Sequence, residues 1–341
     1  MKRFPDRYKS PINVVWYITR RCDLSCIHCC SDAGPPAAAA ATAGDLGDLS
    51  DLSDDAALGV ARQLVANDVV HVHLNGGEPL ARRPLLERVL PLFSEHGVIV
   101  SLVTSAFDLT SRDVELLSRH KVRVVVSLDG ATAAVHDRMR GRVGAFDRAV
   151  AALRQLSRRV PTLKILLTAT RDNVADFGAV VDLGAQIEGV GIVEAHMMVE
   201  RGRARAIRHL QMTPEDRQGL IEVIAAKMER YQRRPLAVFH DPTLLLRRMA
   251  REARGNAGAA IWNDGTLLAN PWLPLAFGSL RDETLHDLWR RGLNDCWRSP
   301  ALADYLRGMR TVNALGQAAE GGGYAWQDFY ALPGAPEGAR R

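Results

Sequence analysis

Short runs of apolar and β-branched residues recur along the first two thirds of the chain, with amphipathic stretches between them. Such runs predict buried strands, and apolar residues spaced three or four apart predict helices. Strands are expected over 13–18, 69–74, 98–103, 122–128, 163–168 and 189–194, and helices over 85–95, 110–118 and 145–156. Repeated strand–helix units predict a parallel α/β sheet, and six units favour a partial (β/α)6 barrel over a closed barrel of eight.

Other segments break this pattern and predict the domain organisation. Residues 33–51 contain Pro35-Pro36, an alanine run and a Gly-Asp-Leu repeat, which predict a flexible surface insertion, with an alanine-rich helical turn as the alternative. The expected order is a tail, the barrel domain, a helical connector with a long amphipathic helix, and a smaller Gly- and Asn-rich α+β domain. These four parts are 1–12, 13–205, 206–250 and 251–335.

The charge pattern limits the classes of partner. The formal net charge is +5, but arginine pairs are scattered among acidic residues, which predicts a mildly basic surface and no nucleic-acid partner. The chain starts with charged residues, and no apolar stretch is long enough to span a bilayer. We therefore expect a cytoplasmic protein with no membrane partner.

Four of the five cysteines crowd into residues 22–30, directly after the first predicted strand. Cys22, Cys26 and Cys29 have the spacing C-x3-C-x2-C, and thiolates suit iron–sulfur clusters or zinc. Three close ligands without an obvious fourth would leave one metal position open for a substrate or cofactor. The alternative is a structural zinc site completed by His28, Cys30 or a distant residue. We interpret Cys30 and His28 as neighbours of the cluster, not as ligands.

This cysteine loop resembles the signature of the radical S-adenosylmethionine (SAM) superfamily. The resemblance implies that the three cysteines bind three irons of one [4Fe–4S] cluster and that SAM chelates the fourth. One-electron reduction would then cleave SAM to methionine and a 5′-deoxyadenosyl radical, which abstracts a hydrogen atom from the substrate. The chemistry implies an electron donor such as flavodoxin or ferredoxin.

Further segments resemble the SAM-binding motifs of this superfamily. Gly76, Gly77 and Glu78 match the segment that holds the amino group of SAM: glycines let the backbone approach a ligand, and a carboxylate pairs with an ammonium. The resemblance also implies cofactor contacts at further positions, all expected toward the carboxyl ends of strands. These are Thr104, where relatives carry Thr-Asn-Gly, Ser127 of the Ser-Leu-Asp-Gly segment near the SAM ribose, and Lys164 on the fifth strand. Met139-Arg140-Gly141, followed by Phe146, is similar to the stretch that comes next.

The C-terminal region resembles a SPASM domain, less closely. In that family about seven cysteines bind auxiliary clusters, whereas this region contains only Cys296, outside the pattern, and Asn256, Ala260 and Asn270 stand near ligand positions. Gly321-Gly322-Gly323-Tyr324 is similar to a remnant of the family's ending. We expect a SPASM-like or twitch-like shape without an auxiliary cluster. A single cluster favours a redox-neutral reaction of a lyase or isomerase, such as decarboxylation, elimination or epimerisation.

Glu194 and His196, at the end of the sixth predicted strand, are the candidate catalytic residues, because they could bind a polar substrate or deliver a proton. The alternative is that both are satisfied core or rim residues. Tyr17, Tyr324 and Trp326 could donate hydrogen or line the pocket.

The missing auxiliary ligands favour a small-molecule substrate such as a sugar, a nucleoside or another natural-product intermediate. The alternatives are maturation of a ribosomally made peptide, tailoring of a tetrapyrrole, or a non-catalytic metal-binding protein.

Overall fold

The strands of the protein form one mixed sheet of ten strands in a computed structural model, which describes residues 8–35, 50–240, 256–271 and 276–298. In chain order, the strands are β1 (Asn13–Tyr17), β2 (His71–Asn75), β3 (Ile99–Thr104), β4 (Arg123–Ser127), β5 (Leu163–Ala169), β6 (Val190–Met197), β7 (Ala237–His240), β8 (Gly258–Ile261), β9 (Thr266–Leu268) and β10 (Ala276–Ser279). Their order in the sheet is β10-β9-β8-β1-β2-β3-β4-β5-β6-β7. Among the described residues the sheet is therefore open, with β7 and β10 at its two ends.

Helices connect the parallel strands, as the alternating pattern predicts, and one further helix follows β10. They are α1 (Asp54–Ala66), α2 (Arg83–Glu95), α3 (Ser111–Arg119), α4 (Ala133–Arg140), α5 (Ala145–Leu156), α6 (Phe177–Gln186), α7 (Pro214–Arg230) and α8 (Leu285–Arg291). Short 3₁₀ helices span Pro79–Arg82, Val174–Asp176, Gly202–Leu210 and Leu293–Arg298. The side chain of Ser53 caps α1 by accepting a hydrogen bond from Ala56 N at 3.2 Å.

Side chains alternate between the two faces of each strand, and this alternation separates the core from the site. Val14, Trp16 and Ile18 belong to the main apolar core together with buried residues of the helices. Val15 and Tyr17 belong instead to a smaller cluster on the other face, with Ala260 and Trp262. The second face of β2, β5 and β6 carries polar side chains, so it is the face that can bind a polar ligand.

The parallel α/β fold is confirmed, and the structure adds strands to the six that were predicted. The predicted connector 206–250 contains, besides α7, the strand β7, which pairs in parallel with β6. The described residues of the predicted small domain are joined to the same sheet, because β8 pairs in parallel with β1 and continues into the antiparallel strands β9 and β10. Most of the predicted insertion 33–51 and the segment 321–326 lie outside the described residues.

In the described ranges, every helix is too short or too polar to cross a lipid bilayer.

Candidate active site

The three cysteines of the motif lie on one compact loop directly after β1. Cys22 N donates to Gly34 O at 3.2 Å, which closes the loop, and Cys29 N donates to Cys26 O at 3.3 Å, which forms a turn inside it. The sulfur of Cys29 receives a hydrogen bond from Ala33 N at 3.4 Å and lies 3.5 Å from the hydroxyl of Ser31. In metal sites, donors of this kind form hydrogen bonds to ligating thiolates and fix their orientation.

The thiols of this loop are not paired in disulfides, and burial raises the pKa of Cys22, Cys26 and Cys30. Thiolate ligands here therefore need the positive charge of bound iron. Across residues 8–35, 50–240, 256–271 and 276–298, no three His, Cys, Asp or Glu side chains converge as a site for one metal ion. A cubane does not require such convergence, because its cysteine ligands bind different irons.

Three arginines fasten the cysteine loop to the barrel. Arg203 Nε donates to Cys26 O at 2.9 Å, and its Nη1 pairs with Asp32 Oδ1 at 3.0 Å. Arg142 Nη1 donates to Asp23 O at 2.6 Å. Arg140 Nη1 donates to the sulfur of Cys26 at 3.7 Å. The loop that carries the thiols is thus held by strongly basic side chains from two distant segments.

Gly76 and Gly77 pack against the backbone between β1 and the cysteine loop. Gly77 N donates to Thr19 O at 2.7 Å, and Gly76 has φ of 152°, a conformation that favours glycine. A Cβ on Gly76 would lie 2.5 Å from Thr19 O, and one on Gly77 would lie 2.2 Å from Arg21 O. The glycines are therefore required for strand-to-loop packing, a reason additional to the ligand approach expected from the sequence.

Glu78 links the ends of β2 and β3. Its carboxylate accepts four hydrogen bonds, from Leu80 N (3.1 Å), Thr104 Oγ1 (2.8 Å), Ser105 N (2.8 Å) and Ser105 Oγ (2.7 Å). A carboxylate has about four acceptor sites, so these donors use its whole capacity. Burial raises the pKa of Glu78, and the hydroxyl donors Ser105 and Thr104 partly oppose the rise. Thr104, predicted to contact the cofactor, is a partner of Glu78 in this structure.

Asp129, two residues after Ser127, is the centre of a buried polar network under the cysteine loop. Its Oδ2 lies 2.8 Å from Arg140 Nε and 3.3 Å from His28 Nε2, and its Oδ1 accepts from Thr168 N at 2.9 Å. Burial alone would raise the pKa of Asp129, but Arg140 and the other partners hold it below its usual value. Burial lowers the pKa of His28 to about 4, so this imidazole is neutral at pH 7.

Glu194, His196 and Lys164 form another polar group, on the second face of β5 and β6. Lys164 Nζ pairs with Glu194 Oε2, and His196 Nε2 lies 3.8 Å from Glu194 Oε1. Glu194 is buried, and His196 is partly exposed. The sheet register places Lys164 opposite Val125 and Leu166 opposite Ser127, so Lys164 lies near the amino end of β5, contrary to the carboxyl-end position expected from the sequence.

The three positions that lack SPASM cysteines have structural partners of their own. Asn256 is buried, donates to Leu293 O at 3.1 Å and accepts from Trp297 Nε1 at 3.1 Å. Ala260 is buried in the cluster with Tyr17 and Trp262, and Asn270 is also buried. Cys296 is buried in the main core. Asn256 and Ala260 thus have packing and hydrogen-bonding roles where relatives of this type would carry thiolates.

The described residues fit a [4Fe–4S] cluster and SAM. Three thiols share one loop with hydrogen-bond donors, and Oδ1 of Asn75, beside Gly76, is buried and has no hydrogen-bond partner among the described residues. A ligand with an amino or hydroxyl group would satisfy such an acceptor. Neither Arg203 nor Asn75 was predicted from the sequence as a site residue. The position of Asn75 directly before the glycine pair could have indicated its role, whereas no motif surrounds Arg203.

Comparison with known proteins gives consistent matches. The family model described as "Radical SAM superfamily" matches residues 16–184. PqqA peptide cyclase of Ruegeria pomeroyi is 28% identical over 295 residues, 83% of this chain and 75% of that protein. Mycofactocin maturase MftC of Mycolicibacterium smegmatis is 31% identical over 232 residues, 67% of this chain but only 56% of the relative. The structure of Streptococcus suis SuiB bound to precursor peptide SuiA has a TM-score of 0.64 at 17% identity, covering 93% of this chain and 72% of SuiB.

Proposed function

This chain belongs to the radical SAM superfamily, and from that premise we propose that it modifies a ribosomally made precursor peptide. A [4Fe–4S] cluster and SAM are the cofactors of the family. Together, when bound, they supply a 5′-deoxyadenosyl radical that abstracts a hydrogen atom. That the cluster is the only one in the chain stays a prediction.

Our prediction of a small-molecule substrate is wrong. PqqA peptide cyclase, which matches 83% of the present chain, has a name that describes a reaction on a peptide, and SuiB has been crystallised with a precursor peptide. The argument for a small molecule was the loss of auxiliary cysteines, and that loss does not separate the two substrate classes. The match to PqqA peptide cyclase is the observation that carries the peptide proposal. The tetrapyrrole alternative stays a prediction.

Two groups of residues on the second, polar face of the sheet would bind the cofactors and the substrate. Cys22, Cys26 and Cys29 would hold the cluster, and the backbone around Gly76 and Gly77 with the acceptor of Asn75 would hold SAM. Because the carboxylate of Glu78 is already occupied by four donors, we assign it to fixing this segment against β3. Ser127 would lie near the SAM ribose.

Glu194 and His196 would face the peptide. Glu194 is held by Lys164, and His196 is the most exposed member of the group, so His196 is placed to exchange a proton with a substrate. Lys164 contacts Glu194 in this arrangement, and its predicted contact with SAM stays a prediction. A redox-neutral outcome also remains a prediction, as does the use of flavodoxin or ferredoxin as the electron donor.

Two measurements test the site and the substrate separately. After anaerobic reconstitution, the protein should contain about four irons per chain and release 5′-deoxyadenosine from SAM with dithionite. Cys26→Ala should abolish both, whereas the matched variant Cys30→Ala should keep both. Activity that persists in Cys26→Ala would refute the assignment.

For the substrate, the genes beside this one should be searched for short open reading frames, and any peptides they encode should be co-expressed with the protein and analysed by mass spectrometry. We expect a change in one peptide that depends on Cys26. A peptide that stays unchanged in an enzyme that still cleaves SAM would count against maturation. A peptide that loses two hydrogens would show that the reaction is a net oxidation and not redox-neutral.

A further inference from the structure

One buried guanidinium contacts both a motif sulfur and a buried carboxylate. Arg140 Nη1 donates to Cys26 Sγ at 3.7 Å, and Arg140 Nε lies 2.8 Å from Asp129 Oδ2. The side chain of Arg140 is 10% exposed, and that of Asp129 is fully buried. Both side chains are thus largely shielded from water.

The backbone around Arg140 is packed directly against the cysteine loop. Arg140 is the last residue of α4, and Gly141 ends the helix with φ of 66°. A Cβ on Gly141 would lie 2.4 Å from Ser25 O, so this turn lies directly on the cysteine loop. One residue before Arg140, Met139 O accepts a hydrogen bond from Ile27 N at 3.1 Å.

Asp129 is fixed from the opposite side. Its Oδ1 accepts from Thr168 N at 2.9 Å, and its backbone carbonyl accepts from Asn173 Nδ2 at 2.9 Å. Its backbone N–H donates to His136 Nδ1 at 2.9 Å. The carboxylate therefore holds the guanidinium by Nε, and Nη1 is directed at the sulfur of Cys26.

We propose that Arg140 raises the reduction potential of the cluster through its hydrogen bond to Cys26, and that Asp129 positions Arg140 for this role. Reduction adds one electron, and hence one negative charge, to the cluster without breaking a bond or moving a proton. A charged donor at a ligating sulfur stabilises the more negative state more strongly. Hydrogen bonds to cluster sulfurs are a recognised determinant of potential. The inference rests on the cluster alone and does not depend on the proposed peptide substrate.

The test is a redox titration of the reconstituted protein without SAM, with dithionite as the electron source and the reduced cluster detected by electron paramagnetic resonance. The variant Asp129→Asn/Arg140→Met removes the buried pair together and avoids leaving an unpaired charge. We expect at least a tenfold lower ratio of reduced to oxidised cluster at the same applied potential, which is a shift of about 59 mV to more negative values. The matched control Arg138→Met removes an exposed arginine of the same helix and should leave the potential unchanged.

A potential equal to that of the parent, at equal iron content, would overturn the proposal. That result would also be found if Arg140 served only to bind the carboxylate of SAM, because SAM is absent from the titration. If the double variant fails to fold, the contact can be tested by pulsed electron paramagnetic resonance of the unsubstituted protein labelled with ¹⁵N-arginine. The reduced cluster should then show a hyperfine coupling to arginine nitrogen that disappears in Arg140→Lys, and its absence from the parent would refute the contact.

Discussion

Replacing Glu78 by glutamine is expected to destabilise the protein far more than its small change in shape suggests. The side chain is 5% exposed, and both of its oxygens are occupied. Oε1 accepts from Leu80 N and Thr104 Oγ1, and Oε2 accepts from Ser105 N and Oγ. Glutamine replaces one oxygen by an NH₂ group. Whichever oxygen is lost, one backbone N–H faces another donor, while the hydroxyl beside it can rotate.

The magnitude follows from this count of donors. A buried N–H without an acceptor costs about 1–3 kcal/mol, and loss of the charge from the remaining hydrogen bonds adds about 1 kcal/mol. Burial raises the pKa of Glu78, which means that the carboxylate is itself costly to bury, and this offsets part of the loss. We expect a decrease of about 2–3 kcal/mol in the free energy of unfolding.

Glu87→Gln is the matched control, because Glu87 is exposed and pairs with Arg112 at 2.7 Å. Surface pairs contribute about 0–1 kcal/mol, so this variant should be close to the parent. The assay is urea unfolding of the reconstituted protein under anaerobic conditions, combined with a double-mutant cycle between Glu78→Gln and Ser105→Ala. Equal effects of the two glutamine variants, together with zero coupling to Ser105, would refute the reasoning.

Three further predictions test other contacts of the site. Gly77→Ala places a Cβ 2.2 Å from Arg21 O and should lower iron retention on gel filtration, whereas Gly59→Ala, with open space around it, should not; equal retention would contradict the packing argument. Burial lowers the pKa of His28 and His136 to about 4, below the unfolded value near 6.5, so the unfolded chain binds more protons in this window. Stability of the iron-free protein should therefore fall by a few kcal/mol as the pH drops from about 6.5 to 4, and a flat profile of urea midpoints would disprove it. Lys164→Met removes the ammonium partner of the buried Glu194, which keeps only its contact with His196, and should cost about 3 kcal/mol in urea unfolding. Adding Glu194→Gln should restore most of this loss, and a double variant no more stable than Lys164→Met would contradict the pairing.

The strands of the barrel could be predicted because each is a local apolar run. The end strand β7 was missed, since Ala237–His240 is short and follows an exposed polar turn. The pairing of β8 with β1 could not be predicted either, because it joins residues more than 240 positions apart, and no local pattern encodes such a partner.

In the site, too, features set by neighbouring residues could be predicted, whereas contacts between distant segments could not. The cysteine spacing and the Gly-Gly-Glu segment are local, so the sequence placed both on loops after strands. The contacts of Cys26 with Arg140 and Arg203 span 114 and 177 residues, and no spacing rule predicts them. For Gly76 and Gly77, the sequence indicated the need for glycine but not the close packing against Thr19 O and Arg21 O, because the neighbouring backbone is set by the tertiary fold.

The cysteine loop is fastened by three different crossovers of the barrel, and this ties cluster binding to the integrity of the sheet. Gly77 follows β2 and donates to Thr19 O, Met139 follows β4 and accepts from Ile27 N, and Arg203 follows β6 and its backbone N–H donates to Cys29 O at 3.0 Å. The three thiols that we propose as iron ligands must keep fixed mutual positions, and anchors along the loop serve this better than anchors at its ends alone. A disturbance of any one crossover should therefore reach the thiols, so that iron content reports on the packing of the whole barrel.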